Sequence, residues 1–200
     1  EVQALSWAYS EGKILSRLSI DTVRAFLPAL GVDFASAIHM PGVANVRNPR
    51  LIKALHKALL GLSNVQLHEQ SEVQGFLIEA GRLIGVTTPA GDQYSDRVLL
   101  AAGAWSGHLL AQLDIRLPVA PVKGQMILYK CEPGFLPAIV LAKGRYAIPR
   151  KDGHILVGST LEHVGFDKTP TEEALASLKA SAEELLPALA DAEVVGHWAG

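Results

Sequence analysis

The stretch from Asp96 to Ser106, Asp-Arg-Val-Leu-Leu-Ala-Ala-Gly-Ala-Trp-Ser, constrains the fold more than any other part of this sequence. Val98, Leu99 and Leu100 make a short apolar run that reads as a buried strand. Ala101, Ala102 and Gly103 end it, and Trp105 and Ser106 begin a helix. Small residues at a strand's carboxyl end admit two readings. They let a ligand approach the backbone, as the phosphates of a dinucleotide do in an open α/β sheet. They are also ordinary turn chemistry.

Composition narrows the class. With 49% apolar and 19% charged residues over 200 positions, the chain can bury one large core or two modest ones, which excludes a disordered polymer. The formal net charge is -2 and the 18 Lys and Arg are scattered, so no face suited to a nucleic-acid backbone is expected. Cys131 is the only cysteine, which rules out an intrachain disulfide, and no apolar run is long enough to span a bilayer. A reducing, cytoplasmic setting is the expectation. The sequence begins at Glu1 and stops on Val194-Val195-Gly196-His197-Trp198-Ala199-Gly200, which reads as an unfinished strand of a longer polypeptide.

In chain order, apolar spacing over residues 1–18 predicts one or two short helices broken near Gly12, and Ser19 or Asp21 caps another to about Phe26. Ser36 to Met40 suits a short strand. Asn48 and Pro49 open a helix that Gly61 stops, with Leu51, Ile52, Leu55, Ala58 and Leu59 on one face. His56 on that helix lacks companions at ligand spacing, so no metal site is expected. Val65–Leu67 reads as a strand. Val73–Ile78, Leu83–Thr88 and Gln93–Tyr94 then form a meander, with turns at Ala80-Gly81-Arg82 and Pro89-Ala90-Gly91-Asp92. This order makes residues 45–115 part of an α/β domain, although no Gly-x-Gly-x-x-Gly is present.

Beyond Leu113 the pattern becomes that of a second, antiparallel sheet. Its strands fall within Leu117–Tyr129 and at Ala138–Leu141, Tyr146–Ile148 and Ile155–Val157, and a last one begins at Val194. A helix capped by Thr169 or Thr171 runs to about Leu185 with Leu175, Leu178, Ala182 and Leu185 inward, and Pro187 ends it. Arg150 and Lys123 read as structural cations rather than anion binders.

Five motifs occur in one order: Ala-Ala-Gly-Ala-Trp-Ser at 101–106, Pro-Val-Lys-Gly-Gln at 121–125, Tyr-Ala-Ile-Pro-Arg at 146–150, Asp-Gly-His-Ile-Leu-Val-Gly-Ser-Thr at 152–160 and Trp-Ala-Gly at 198–200. In this the chain resembles the D-amino-acid oxidase family of flavoproteins, most closely the glycine oxidase branch associated with thiamine biosynthesis. The resemblance implies an α+β, α/β architecture: a partial FAD-binding domain of the glutathione-reductase type with a β-meander, joined to a substrate domain on a mixed or antiparallel sheet. The boundaries expected are a helical lead-in at 1–44 that packs on the substrate domain, the partial FAD domain at 45–115 and the substrate domain at 116–200.

By the same likeness Val73 lies near the adenine end of FAD, and Ala101, Ala102, Gly103 and Trp105 line its phosphate and ribose region. Tyr146 orients the substrate carboxylate, and Leu161 flanks the pocket. From pattern alone, Tyr146 is equally a strand tyrosine with an exposed hydroxyl. No residue is assigned as a catalytic base, because an amine can surrender its α-hydrogen to a flavin as hydride.

The implied substrates are glycine, a small amine or a D-amino acid, with molecular oxygen as acceptor and hydrogen peroxide as product. A D-amino acid dehydrogenase of the same family and an inactive fragment that binds no flavin stay open, as does a homo-oligomer.

Overall fold

The computed structural model describes residues 2–31 and 33–200. The elements are α1 (Val2–Ser10), β1 (Ser16–Leu18), α2 (Ile20–Phe26), β2 (Ala37–His39), α3 (Asn48–Leu60), β3 (Gly75–Glu79), β4 (Arg82–Thr88), β5 (Gly91–Tyr94), α4 (Ser106–Ala111), β6 (Gln125–Lys130), β7 (Val140–Ala142), β8 (Arg145–Pro149), β9 (His154–Gly158), α5 (Glu172–Leu185) and β10 (Glu193–Ala199). Short 3-10 turns occupy Gly103–Trp105 and Pro187–Asp191. The chain divides into two compact units. One combines residues up to Asn45 with Val122–Gly200, and the other is Val46–Pro121.

The first unit is built on a five-stranded sheet of order β10-β6-β9-β8-β7, antiparallel at every pair. Side chains alternate between the faces of a strand, and register carries each residue onto the same face as its cross-strand partner. One face therefore collects Ile127, Val157, Ala147 and Val140, with Tyr129 and Ile155 a step along, all buried. Leu178, Ala182 and Leu185 of α5 pack on them. The expected cap is Thr171, whose hydroxyl accepts from the Ala174 N–H at 3.3 Å, and Glu172 and Glu173 place negative charge at the positive end of the helix.

The lead-in segment adds Leu27, Ala29, Leu30 and Phe34 to this core, and the Gly31 N–H donates to the Leu185 carbonyl at 3.0 Å. A β-carbon at Gly31 would overlap the Pro187 ring, so the crossing needs glycine. Over residues 2–18 the helix ends at Ser10, because Ser16–Leu18 instead pairs with Ala37–His39 as a two-stranded ribbon.

The second unit contains the expected meander, β3-β4-β5. Ala80 and Gly81, both at positive φ, form the tight turn that suits a two-residue hairpin. Two expected strands are absent: Val65–Leu67 and Val98–Ala101 lie outside every sheet. A strand requires a neighbour to exchange ladder hydrogen bonds, and no described strand lies beside either. Helix α3 forms as the sequence predicts, with Arg47 rather than Asn48 at the cap. Its apolar face is exposed, Leu51, Ile52, Leu55 and Leu59 included.

Tyr129 is fully enclosed, and its hydroxyl is a buried polar atom with no hydrogen-bond partner. Burial, reinforced by Glu183 and Cys131, pushes the phenol from 10.0 up to about 12. Its folded value exceeds its unfolded one, so ionisation opposes folding: stability is untouched by this group below pH 10 and falls as the pH rises from there through about 12. Tyr129→Phe keeps the ring and removes the orphaned oxygen. The substitution should raise stability at pH 7 by about 1 kcal/mol and flatten the alkaline limb of the stability profile, measured by denaturant titration from pH 7 to 12.

Candidate functional site

The face of the five-stranded sheet opposite α5 carries one continuous row. Trp198, Met126, Gly158, Tyr146 and Leu141 are in register across β10, β6, β9, β8 and β7. Tyr146 is half-buried there, and its ring lies over the neighbouring Gly158. Its strand enters from a two-residue turn in which Lys143 and Gly144 have φ of 50° and 75°, the geometry that matches strand twist in a hairpin. Tyr146 thus projects from a rigid strand onto the face that the core does not use.

A polar cluster lies on the other face, at the start of β6, where Gln125 continues the alternation of Ile127 and Tyr129 and meets the cap of α5. Gln125 has no exposed surface, and its Nε2 donates to Glu162 Oε1 at 2.8 Å while its Oε1 accepts from the Thr171 N–H at 2.9 Å. Thr160 accepts from the Gln125 N–H at 2.9 Å and donates to Glu162 at 2.5 Å. Lys123, with only 3% of its side chain exposed, reaches Glu162 at 3.1 Å, Asp167 at 3.5 Å and the Thr169 carbonyl at 3.1 Å.

Each charge is stabilised by what surrounds it. The hydrogen bond from Lys123 to Glu162 holds the ammonium above its ordinary value, against the opposing effect of burial. The hydrogen bond from Thr160 lowers the Glu162 carboxyl, aided by Gln125 and Lys123, and hydrogen bonds from Thr169 lower Asp167. Lys123 is therefore a neutralised structural cation, buried rather than set on a solvent-facing turn.

Leu161 sits between Thr160 and Glu162, the two anchored members of this cluster, and is itself 72% exposed. Tyr146 and Leu161 thus belong to one unit, joined through β9 and the segment that follows it. Val73, Ala101, Ala102, Gly103 and Trp105 belong to the other. Val73 is half-buried in the approach to β3, and Gln112, just past α4, donates from Nε2 to the Gln74 carbonyl at 3.0 Å, tying that helix to the Val73 segment.

Ala101 and Gly103 are exposed and Ala102 half-buried. Gly103 takes φ +55°, and a β-carbon there would meet no atom within 4 Å, so the backbone of this turn is open to approach. Gly103 and Ala104 open the 3-10 turn, where N–H groups have no intrahelical partner. Small side chains and accessible backbone fit a phosphate-bearing cofactor.

Gln125 and Gly158 stand within the quoted motifs without an assigned role, and Glu162 lies outside them. A glycine inside an apolar strand, Val157-Gly158, was the available signal of close approach by a neighbour.

The family model for FAD dependent oxidoreductases matches residues 2–200. The chain belongs to that family. A glycine oxidase of Pseudomonas aeruginosa is 59% identical over all 200 residues, which cover 55% of that protein, and one of Pseudomonas putida is 61% identical at the same coverage. The crystal structure of glycine oxidase from Bacillus cereus superposes with a TM-score of 0.89 at 30% identity, over 100% of this chain and 55% of that one. Glycine oxidase from Geobacillus kaustophilus gives 0.90 at 27% identity, over 98% and 52%. The chain spans about half the length of the curated relatives it matches. The α/β architecture with antiparallel sheets is that of these family members, and among the described residues no helix is long and apolar enough to cross a membrane.

The polar cluster makes a pH prediction. The lowered carboxyls of Glu162 and Asp167 contribute stability that is present above the ordinary carboxylate range and lost as the pH falls through their depressed folded values. The raised Lys123 contributes stability that is full below pH 10.5 and lost as the pH rises through its folded value. Lys123→Met should lower the melting temperature at pH 7. That difference from the parent should shrink as acid protonates the two carboxyls, as calorimetry between pH 3 and 7 would show.

Proposed function

We propose that this chain forms the substrate-binding sheet and part of the cofactor domain of an FAD-dependent amino acid oxidase of the glycine oxidase kind. The observation that carries the reading is the 59% and 61% identity to two glycine oxidases across every residue of the chain. Ala101, Ala102 and Gly103 would present backbone N–H groups to the FAD phosphates, with Trp105 and Val73 flanking the ribose and adenine. When bound, the flavin supplies the two-electron acceptance that amine oxidation needs.

The chain's own part is placement. Tyr146 would donate its phenolic O–H to the substrate carboxylate, a neutral donor that fixes orientation without adding charge. Leu161 would bound the pocket with an apolar wall, which suits a substrate with little side chain. A small amine or amino acid gives up a hydride from its α-carbon and a proton from nitrogen, leaving an imine. Water converts the imine to the oxo acid and ammonia, and oxygen takes the two electrons and two protons as hydrogen peroxide. The Asp152 carboxylate holds His154 through Nδ1 at 3.0 Å, and no base is required of it.

The direct test is peroxide release from the flavin-loaded full-length protein with glycine; a protein that holds FAD, is reduced by no small amino acid and releases no peroxide would overturn the reading. Tyr146→Phe should raise the KM for glycine about tenfold, the loss expected for one hydrogen bond to a charged group, with a smaller change in kcat. Gly103→Val forces a β-branched residue into the left-handed region and should weaken FAD retention about tenfold, read by flavin fluorescence during dialysis.

A further inference from the structure

Gly158 is the member of the Trp198–Met126–Gly158–Tyr146–Leu141 row that has no side chain, and it sits on β9, the central strand. Its φ lies outside the left-handed region, so φ does not by itself demand glycine there. The constraint is steric. A β-carbon built on Gly158 would lie 2.8 Å from the Tyr146 hydroxyl oxygen, 3.0 Å from its Cζ and 2.8 Å from Met126 Cγ.

Non-bonded carbons settle near 3.5–4.0 Å, so the phenol and the thioether occupy the space a side chain would fill. The two neighbours differ in what they can yield. Met126 is unbranched and can swing aside. The Tyr146 ring is a rigid body on two torsions, so the relief it offers carries its hydroxyl away from Gly158.

A glycine within a strand costs conformational entropy and offers nothing to pack, so its presence at the centre of the sheet calls for a physical reason. We propose that Gly158 is the positioning residue for Tyr146: its missing side chain forms the seat on which the hydroxyl end of the ring rests, and this fixes the height of the hydroxyl above the sheet. The proposal rests on the reading that Tyr146 holds the substrate carboxylate. A methyl at 158 would displace the hydroxyl by about 1 Å, and a misplacement of that size can cost about 100-fold in turnover efficiency.

The test uses Gly158→Ala, Tyr146→Phe and the double variant in the flavin-loaded full-length protein, with two readouts. The first is the ring resonance of Tyr146 in protein carrying ring-13C tyrosine, assigned by its loss in Tyr146→Phe. The second is the KM and kcat for glycine. The expected result is a shifted Tyr146 resonance in Gly158→Ala, a glycine KM raised at least tenfold, and a double variant no worse than Gly158→Ala alone, because the contact is already lost.

If the Tyr146 resonance stays in place, Gly158 is not its seat and the proposal falls. If the resonance shifts and Tyr146→Phe raises KM but Gly158→Ala does not, hydroxyl height is irrelevant to binding and the proposal falls while the substrate role of Tyr146 stands. If Tyr146→Phe leaves KM unchanged, the substrate role falls, and the resonance alone decides whether Gly158 seats the ring. Should Gly158→Ala fail to fold, Gly158→Ala combined with Tyr146→Ala removes the collision with the ring and leaves only that with Met126, which can swing aside. Recovery of a cooperative melt supports the seat, and continued failure overturns it.

Discussion

The burial of Ile127, Val157, Ala147 and Val140 against Leu178, Ala182 and Leu185 is the constraint on which the first unit depends. It does more than supply stability, although each large aliphatic side chain so enclosed contributes about 1.5–3 kcal/mol. Side chains alternate along a strand, so the row that faces α5 dictates the row that faces away. A slip of one residue in β8 would send Tyr146 into the core and bring Ala147 to the other face. Hydrophobic registry therefore aims the phenol, and the polar site inherits its geometry from apolar packing.

The segment after β9 needs a different means of support, because Leu161, Val164 and Phe166 are all exposed and give it no core of its own. Hydrogen bonds take over. Gln125 uses both ends of its amide, Thr160 both accepts and donates, and Lys123 meets two carboxylates, so the buried members of the cluster are satisfied. Such a network is worth most when complete, since removal of one partner leaves another buried and unpaired. Its members come from the entry to β6, the exit of β9 and the cap of α5, so one cluster joins three elements of the first unit.

What could be read from the sequence followed from how local each signal is. The turn at Lys143-Gly144, the Thr171 cap and the alternation through Gln125–Tyr129 are written within a few residues and appear in the structure. The partner of Lys123 was not legible, because Glu162 stands 39 positions away in a stretch that looks like solvated loop. Tyr146 and Leu161 entered as site residues through the family likeness; pattern alone left Tyr146 a strand tyrosine. Val98–Ala101 shows the opposite error, since apolar β-branched and leucine residues favour extension but only a neighbouring strand makes a strand of them.

The two units differ in how they close. The first holds every large apolar side chain that is fully enclosed among the described residues, whereas within Val46–Pro121 no hydrophobic side chain reaches that state. There α3 exposes Leu51, Ile52, Leu55 and Leu59, and Leu99, two residues before the Ala101–Gly103 turn, is 92% exposed. An amphipathic helix draws its stability mainly from covering its apolar face, and a soluble protein seldom leaves such a surface bare. Residues 46–121 thus carry the sequence of a packed unit without closing a core among themselves. The Tyr146 phenol is held by contacts within the first unit, whereas Leu99 beside the small-residue turn and the apolar face of α3 find no apolar cover within theirs.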